Sequence, residues 1–292
     1  MKITERYIGI RARRTAPRPW VRPGTVPVML CILQAAAILL AAGVMPLNAC
    51  ALAPDAAKTV ICIDPGHGGL EYGAVAEYNG IEVREKYLNF NIAKKLCRAL
   101  AQYENVETVL TRSGDRDVSI KERVNIAAAA DADVLISLHN NKPFNEEETD
   151  IGGCMVLTPV SRYRPSWCET DIYEVGTALG ESIIKQFQEM GIPLSRDFDV
   201  NKTGGLLRRP YNRKEGMAKK DVHYPDGSYA DYYGLIRIGV EAGIPVVIVE
   251  HAYISNEQDY RAYLKYSDSL QSLADADARG IAEALGLRMA DR

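Results

Sequence analysis

The stretch Val60-Ile61-Cys62-Ile63-Asp64-Pro65-Gly66-His67-Gly68-Gly69 decides the fold of this chain. Its apolar first half predicts a short buried strand, which Asp-Pro-Gly then breaks sharply. The break places His67 between glycines, so the imidazole has no bulky side chains beside it in the sequence. In α/β folds, the loops that leave the strand ends carry the chemistry. The stretch therefore predicts a buried sheet with a functional histidine at its edge; the alternative is a tight turn with a surface histidine.

The composition is that of a globular protein without a nucleic-acid partner. The 292 residues are 47% hydrophobic, which is enough to bury the core of one or two domains. The net charge is −3, but residues 1–53 hold seven Lys or Arg and one acid, which leaves 28 basic and 37 acidic residues for the remainder. A remainder with this acidic balance is not expected to bind nucleic acid.

Residues 1–53 predict a basic N-terminus followed by a signal peptide or a membrane anchor. No charged residue occurs between Pro23 and Pro54, and Val26 to Val44 is almost entirely apolar. A basic flank, an apolar run and small residues are typical of export signals. Ala49-Cys50-Ala51 fits a cleavage site, with lipidation of Cys50 as an alternative. In each case we expect an exported protein, in the cell wall or on the outer side of the membrane, that contacts the membrane only through this segment.

After a linker over residues 54–58, one domain is predicted over residues 59–288, with a long insert around residues 160–231. Buried strand patterns alternate with amphipathic helix patterns, which predicts an α/β sheet with helices on both faces. The strands are expected near residues 60–63, 106–110, 134–138, 154–158 and 244–249, and the helices near Glu85, Ser119, Tyr173, Ser255 and Ser267. Part of the insert, Pro193 to Asp231, shows no regular pattern and is rich in Lys and Arg. Irregular stretches of that length are usually functional or mobile.

Four cysteines follow the predicted leader. Cys62 and Cys97 fall on predicted core elements, where a thiol acts as a small apolar side chain. Cys154 and Cys168 could pair across a short loop, since export permits disulfide bonds, but their spacing decides nothing.

Candidate catalytic residues follow three of the predicted strands and open one helix. His67, His139 and Glu250 come at strand ends, and Glu85 comes at or just before a helix start. The carboxyl ends of parallel strands share one edge of a sheet, so these residues can converge. Two imidazoles and a carboxylate are the ligands of a catalytic zinc, and a further carboxylate can accept a proton. The alternatives are surface histidines, a glutamate that complements a helix dipole, and a solvated Glu250.

Five motifs in this order resemble those of the zinc-dependent N-acetylmuramoyl-L-alanine amidases of bacterial cell walls. The resemblance runs from about Val60 to Gly286. The motifs are Ile63-Asp64-Pro65-Gly66-His67-Gly68-Gly69, Glu85-Lys86-x-Leu88-Asn89, Thr111-Arg112-x-x-Asp115, Ser137-x-His139-x-Asn141 and Pro245-x-x-Ile248-Val249-Glu250-x-x-Tyr253-Ile254-Ser255-Asn256.

The resemblance implies a fold, a cofactor and a reaction. The fold is an α/β domain with a mixed, mostly parallel sheet of about six strands and helices on both faces. The family's zinc ligands correspond to His67, Glu85 and His139, and its catalytic glutamate corresponds to Glu250. The substrate is peptidoglycan, cleaved between N-acetylmuramic acid and the L-alanine of the stem peptide. Some relatives need a protein activator to displace a helix that plugs the cleft, and Tyr173 to Met190 is either such a plug or, as we favour, an ordinary packed helix.

Some positions depart from the family pattern, although the predicted ligands are intact. Asn140 stands where a small residue is common, Ala128 stands where an asparagine is expected, and His251-Ala252-Tyr253 replaces the frequent Thr-Gly-Phe. Successive strand residues face opposite ways, so only one of Glu250 and His251 is expected to face the site, and we assign Glu250. A zinc carboxypeptidase that acts on the stem peptide and a catalytically silent wall-binding protein are the alternative functions.

Overall fold

The computed structural model describes residues 58–143, 145, 148–214, 216 and 218–291. The predicted leader over residues 1–53 lies outside these residues, so the signal peptide or anchor stays a prediction. Within the part that is described, no helix combines the length and the apolar character that crossing a membrane requires.

Strands and helices alternate along the described chain, as the sequence patterns predicted. The strands are Thr59–Pro65 (β1), Val75–Tyr78 (β2), Ile81–Arg84 (β3), Val106–Leu110 (β4), Val134–Asn141 (β5), Met155–Leu157 (β6), Leu206–Leu207 (β7) and Val246–Tyr253 (β8). The α-helices are Glu85–Leu100 (α1), Ile120–Ala129 (α2), Ile172–Glu189 (α3), Gly234–Glu241 (α4), Glu257–Asp259 (α5) and Ser267–Leu285 (α6). A 3₁₀-helix over Asp197–Thr203 and a π-helix over Tyr260–Leu264 complete the elements.

Six of these strands form one mixed sheet in the order β4-β1-β5-β8-β6-β7. The four neighbours β4, β1, β5 and β8 are parallel, whereas β6 runs antiparallel to β8 and β7 pairs parallel to β6. The predicted mixed, mostly parallel sheet is therefore confirmed. The parallel strands β1, β5 and β8 bring their carboxyl ends to one edge, and His139 pairs directly with Glu250 in the register of β5 and β8.

Helices cover both faces of this sheet, and each face has its own hydrophobic cluster. One cluster packs α1, α3 and α6 against residues such as Ile63, Ile136 and Val249. The other packs α2 and α4 against residues such as Leu135 and Ile248. Helix α3 belongs to the first cluster and buries Ile183 and Phe187 completely, so it is an ordinary packed helix and not a plug.

Cys154 and Cys168 lie in different clusters. Cys154 packs with α1, α3 and α6, whereas Cys168 packs with α2 and α4 on the opposite face. The sheet therefore separates the two thiols, and they do not form the disulfide bond that the sequence left open.

The insert is more ordered than its sequence pattern indicated. Besides β7, isolated β-bridges join Pro210 to Asp231 and His223 to Tyr229. The buried carboxylate of Asp231 accepts hydrogen bonds from the Tyr224 hydroxyl (2.7 Å) and the Val160 backbone N–H (2.8 Å). These contacts fold the end of the insert back onto the domain, directly before Tyr233 and α4.

Candidate active site

His67, Glu85 and His139 meet at the carboxyl edge of the sheet. The Nε2 atom of His67 lies 3.1 Å from Oε2 of Glu85, and Nδ1 of His139 lies 2.9 Å from Oε1 of the same carboxylate. One donor atom from each residue can be chosen such that all three lie within 4.8 Å of one another. The structure thus brings together the three residues predicted to be metal ligands, from the loop after β1, from α1 and from β5.

The loop that carries His67 is held in an unfavourable backbone conformation by two buried arginines. His67 has a φ of 61°, a left-handed value that non-glycine residues rarely adopt. Arg123 donates to the carbonyls of Pro65 (3.0 Å) and His67 (3.0 Å). Arg112 donates to the carbonyls of Pro65 (2.9 Å) and Gly66 (3.1 Å). Because the two guanidinium groups donate to three successive carbonyls, they restrain the backbone that carries the imidazole.

Asp64 compensates the charge that these arginines bring into the interior. Its carboxylate is 1% exposed and accepts from Arg123 Nη1 (2.6 Å), from the Ser137 hydroxyl (2.7 Å) and from the Thr111 hydroxyl. A buried ion pair is stable only when its remaining hydrogen-bonding sites are satisfied, and this carboxylate meets that condition. Asp64, Thr111 and Ser137, which belong to the first, third and fourth sequence motifs, therefore help to hold Arg123 against the His67 loop.

Glu85 is the first residue of α1, and several hydrogen-bond donors surround its carboxylate. Its carboxylate accepts from the backbone N–H of Ala74 (2.7 Å) and of Asn140 (3.0 Å), and from the Asn89 amide (3.1 Å). Burial opposes ionisation of Glu85, but the hydrogen bonds and charges of the His139 and His67 imidazoles outweigh it and lower the pKa of the carboxyl below its usual range. The residue is therefore held as a carboxylate, the form in which it can ligate a cation.

Two glycines allow the three donors to approach. A Cβ at Gly66 would lie 2.2 Å from Cε1 of His139. A Cβ at Gly73 would lie 2.4 Å from Oε2 of Glu85 and 2.5 Å from Cδ2 of His67. Since real Cβ contacts are never that short, any other residue at these positions would displace a donor.

The donor set suits zinc. Two neutral imidazoles and one carboxylate form the three-residue set of catalytic zinc sites, which leave a coordination position open to the cavity. In zinc sites the ligands are usually oriented by further hydrogen bonds. Here the Glu85 carboxylate accepts such bonds from backbone and side-chain donors. The residues present therefore fit a zinc ion.

Glu250 lies beside this cluster and shares its cavity. The cavity has a volume of about 420 Å³, and its lining includes His67, Glu85, His139 and Glu250. The Oε2 atom of Glu250 is buried and has no hydrogen-bond partner among the described residues. Burial, followed by repulsion from the Glu85 carboxylate, raises the pKa of Glu250 well above its ordinary value. A carboxyl group in this setting can take up a proton and release it again.

The other two histidines after the leader lie elsewhere. His251 is fully buried on the opposite side of β8, where Nδ1 donates to the His139 carbonyl (2.9 Å) and Nε2 lies 2.9 Å from Oδ2 of Asp277. His223 stacks on Tyr229 in the insert. Neither belongs to the cluster of His67, Glu85 and His139. Of Glu250 and His251, it is therefore Glu250 that faces the cavity.

Several supporting residues were not expected from the sequence. Arg123 and Lys86 both lie on helices, where charged side chains are usually solvated, yet they are 5% and 2% exposed. The Lys86 ammonium donates hydrogen bonds to the Gly69 carbonyl (2.7 Å) and to the Asp115 carboxylate (2.7 Å). Tyr233 lines the cavity directly after the insert and was also missed. The sequence indicated these roles only through Lys86 and Asp115, which belong to the second and third family motifs.

Comparisons with known proteins agree with this geometry. Residues 61–283 match the model of the N-acetylmuramoyl-L-alanine amidase family. The chain is 39% identical to the N-acetylmuramoyl-L-alanine amidase AmiA of Escherichia coli over 226 residues, which cover 77% of this chain and 75% of AmiA. It is 29% identical to the amidase CwlM of Bacillus licheniformis over 228 residues, which cover 78% of this chain and 69% of CwlM.

Solved structures show the same fold. The amidase AmiC2 of Nostoc punctiforme superimposes with a TM-score of 0.55 at 25% identity, over 78% of this chain and 97% of that structure. The catalytic domain of the amidase CwlV from Bacillus (Paenibacillus) polymyxa var. colistinus gives a TM-score of 0.54 at 25% identity, over 79% and 99% respectively. Family match, relatives and fold lead to one conclusion: this chain belongs to the N-acetylmuramoyl-L-alanine amidase family.

Proposed function

We propose that this protein is a zinc-dependent amidase that cleaves the bond between N-acetylmuramic acid and the L-alanine of the peptidoglycan stem peptide. The family match supports the reaction class. The donor set of His67, Glu85 and His139 supports the metal. A zinc ion held by these residues would supply Lewis-acid activation of water and of the amide carbonyl.

The single observation that carries the proposal is the position of Glu250. It pairs with His139 across two parallel strands and lines the same cavity as the three donors, and its Oε2 atom has no hydrogen-bond partner among the described residues. In the proposed reaction, Glu250 removes a proton from the attacking water and then delivers it to the departing alanine nitrogen. A raised pKa favours the second step, because a protonated carboxyl is the form that can donate.

Export and partners belong to the same proposal. Peptidoglycan lies outside the cytoplasmic membrane, so a wall amidase must leave the cytoplasm, and the basic and apolar character of residues 1–53 supports that route. We propose peptidoglycan as the main partner and membrane contact only through the N-terminal segment. A protein activator stays a prediction, and α3 gives it no support because that helix is packed into the core.

Product analysis tests the reaction. Purified peptidoglycan is digested with residues 54–292 and zinc, and the soluble products are identified by mass. We expect intact stem peptides with a free L-alanine amino group, together with glycan that has lost its peptides. Stem peptides shortened only at the C-terminus would indicate the carboxypeptidase instead. No released product, from a protein that binds zinc, would indicate a wall-binding protein without activity.

A further inference from the structure

Among the side chains that line the cavity, Asn140 Oδ1 and Glu250 Oε2 are acceptors without a hydrogen-bond partner in the described residues, and the Tyr233 hydroxyl is a donor without one. Asn140 and Asn141 line the cavity, but their amide groups donate to Asn89 Oδ1 (2.8 Å) and to the Tyr253 hydroxyl (3.1 Å). Tyr233 also lines the cavity, directly before α4, and none of the described residues accepts a hydrogen bond from its hydroxyl. Its O–H group is thus a donor that no described residue uses.

Arg209 forms a hydrogen bond with the oxygen of this hydroxyl. Its Nη1 atom lies 3.4 Å from the Tyr233 oxygen and donates to it. The guanidinium itself contacts two aromatic rings, with its central carbon 4.6 Å from the Phe198 ring centre and 4.7 Å from that of Tyr232. Because Arg209 occupies one lone pair of the phenol oxygen, the hydroxyl proton must lie in another direction.

We propose that Tyr233 donates a hydrogen bond to the oxygen of the scissile carbonyl and that Arg209 positions it for this role. The inference rests on the proposed function, because hydrolysis of an amide places negative charge on that oxygen in the transition state. A fixed donor in a partly buried cavity stabilises such charge more than the neutral ground state. Tyr233 would act on the substrate directly, whereas Arg209 acts only through Tyr233.

The electrostatics of Tyr233 agree with a donor role. Burial raises the pKa of the phenol, Arg209 opposes that rise, and the nearby Glu250 carboxylate adds to it. The hydroxyl therefore keeps its proton at neutral pH. Tyr233 and the proposed general base Glu250 line the same cavity.

Steady-state kinetics of the zinc-loaded full chain on a soluble N-acetylmuramoyl peptide test the role of Tyr233. Tyr233→Phe removes the hydroxyl and keeps the ring, so we expect kcat to fall by about 10²-fold while KM changes by less than about threefold. Tyr229→Phe, four residues earlier and outside the cavity lining, is the matched control and should leave both constants unchanged. Zinc content and thermal unfolding show that each variant is folded and loaded.

A double-mutant cycle tests the role of Arg209. Arg209→Gln should lower kcat in the parent enzyme but add little to the loss in Tyr233→Phe, and Arg209→Lys should restore part of it. Equal losses in both backgrounds would overturn the positioning role. A Tyr233→Phe enzyme with parental kcat, or with only a raised KM, would overturn the donor role. If the parent enzyme released no peptide, the proposed function itself would be wrong and this inference with it.

Discussion

Gly73→Ala is the substitution that tests the geometry of the donor cluster most sharply. Gly73 has a φ of +70°, and a Cβ there would lie 2.4 Å from Oε2 and 2.9 Å from Cβ of Glu85. The Glu85 carboxylate is confined by the hydrogen bonds from Ala74 and Asn140, so it cannot yield without losing one of them. We therefore expect the alanine to displace a proposed zinc ligand.

Gly80 provides a matched control for the backbone strain. Its φ is +76°, nearly that of Gly73, but a Cβ there would meet no atom within 4 Å. Both alanine variants should lose about 1–2 kcal/mol of stability from the left-handed conformation. Only Gly73→Ala adds a displaced ligand, and misplacement of a ligand or its support typically lowers metal affinity by at least about 10–100-fold.

Zinc titration against a chromophoric chelator, with thermal unfolding of the zinc-free proteins in parallel, separates the two effects. Both variants should unfold at lowered temperatures, Gly73→Ala at the lower one because its Glu85 carboxylate loses a hydrogen bond, and Gly73→Ala alone should bind zinc about 100-fold more weakly. If Gly73→Ala bound zinc as tightly as Gly80→Ala, the assignment of Glu85 and His67 as adjacent ligands would be refuted.

Three further predictions concern individual side chains. Metal analysis should find no zinc in His139→Ala and one zinc per chain in His223→Ala, since only His139 lies in the donor cluster; the reverse result would contradict the assignment. Burial raises the pKa of Asp231 from 3.8 to about 6, so its contribution to stability is present in full below pH 3.8 and is lost as the pH rises through about 6. Between about pH 4.5 and about pH 7.5 the parent should therefore lose about 2 kcal/mol more than Asp231→Asn in urea unfolding, and parallel pH curves would exclude this. His251→Ala should lose about 3–5 kcal/mol because it leaves the buried Asp277 unpaired, yet still bind zinc; a metal-free but stable variant would make His251 a ligand.

The candidate site could be predicted from the sequence because each of its residues follows a strong local signal. The apolar runs before His67, His139 and Glu250 are buried strands, and the helical spacing after Glu85 is an amphipathic helix. Parallel strand order then brings their ends together without any detail of side-chain packing. Alternation of side chains along a strand allowed only one of Glu250 and His251 to face the site, and Glu250 was chosen because the site had three ligands and lacked a base. In the structure Glu250 lines the cavity and His251 is buried on the other side.

The β2–β3 hairpin was missed although its signal was present. Asn79-Gly80 joins the two strands, and both residues have positive φ values of 55° and 76°. This is the two-residue turn that Asn-Gly favours between strands. The flanking strands are only four residues each and largely solvent-accessible, so their apolar pattern is weak.

Helix α4 and the supporting arginines could not be predicted for a different reason. The helix has eight residues and contains Gly234 and Gly239, which disfavour helices, so its stability comes from packing against β8 and α2. The burial of Arg112 and Arg123 depends on carbonyls that the His67 loop exposes only after folding. Such contacts join residues 46 to 59 positions apart, and no local pattern encodes them.

The central claim is that Glu250 is the proton-transferring group of a zinc amidase, and Glu250→Gln tests it most directly. The amide keeps the shape of the side chain but cannot accept a proton, and the proposed ligands are untouched. The measurement is the rate of L-alanine-terminated peptide release from peptidoglycan by parent and variant at equal zinc content. We predict a rate lowered by about 10² to 10⁴ with one zinc still bound. Release at the parental rate by the zinc-loaded variant would contradict the account.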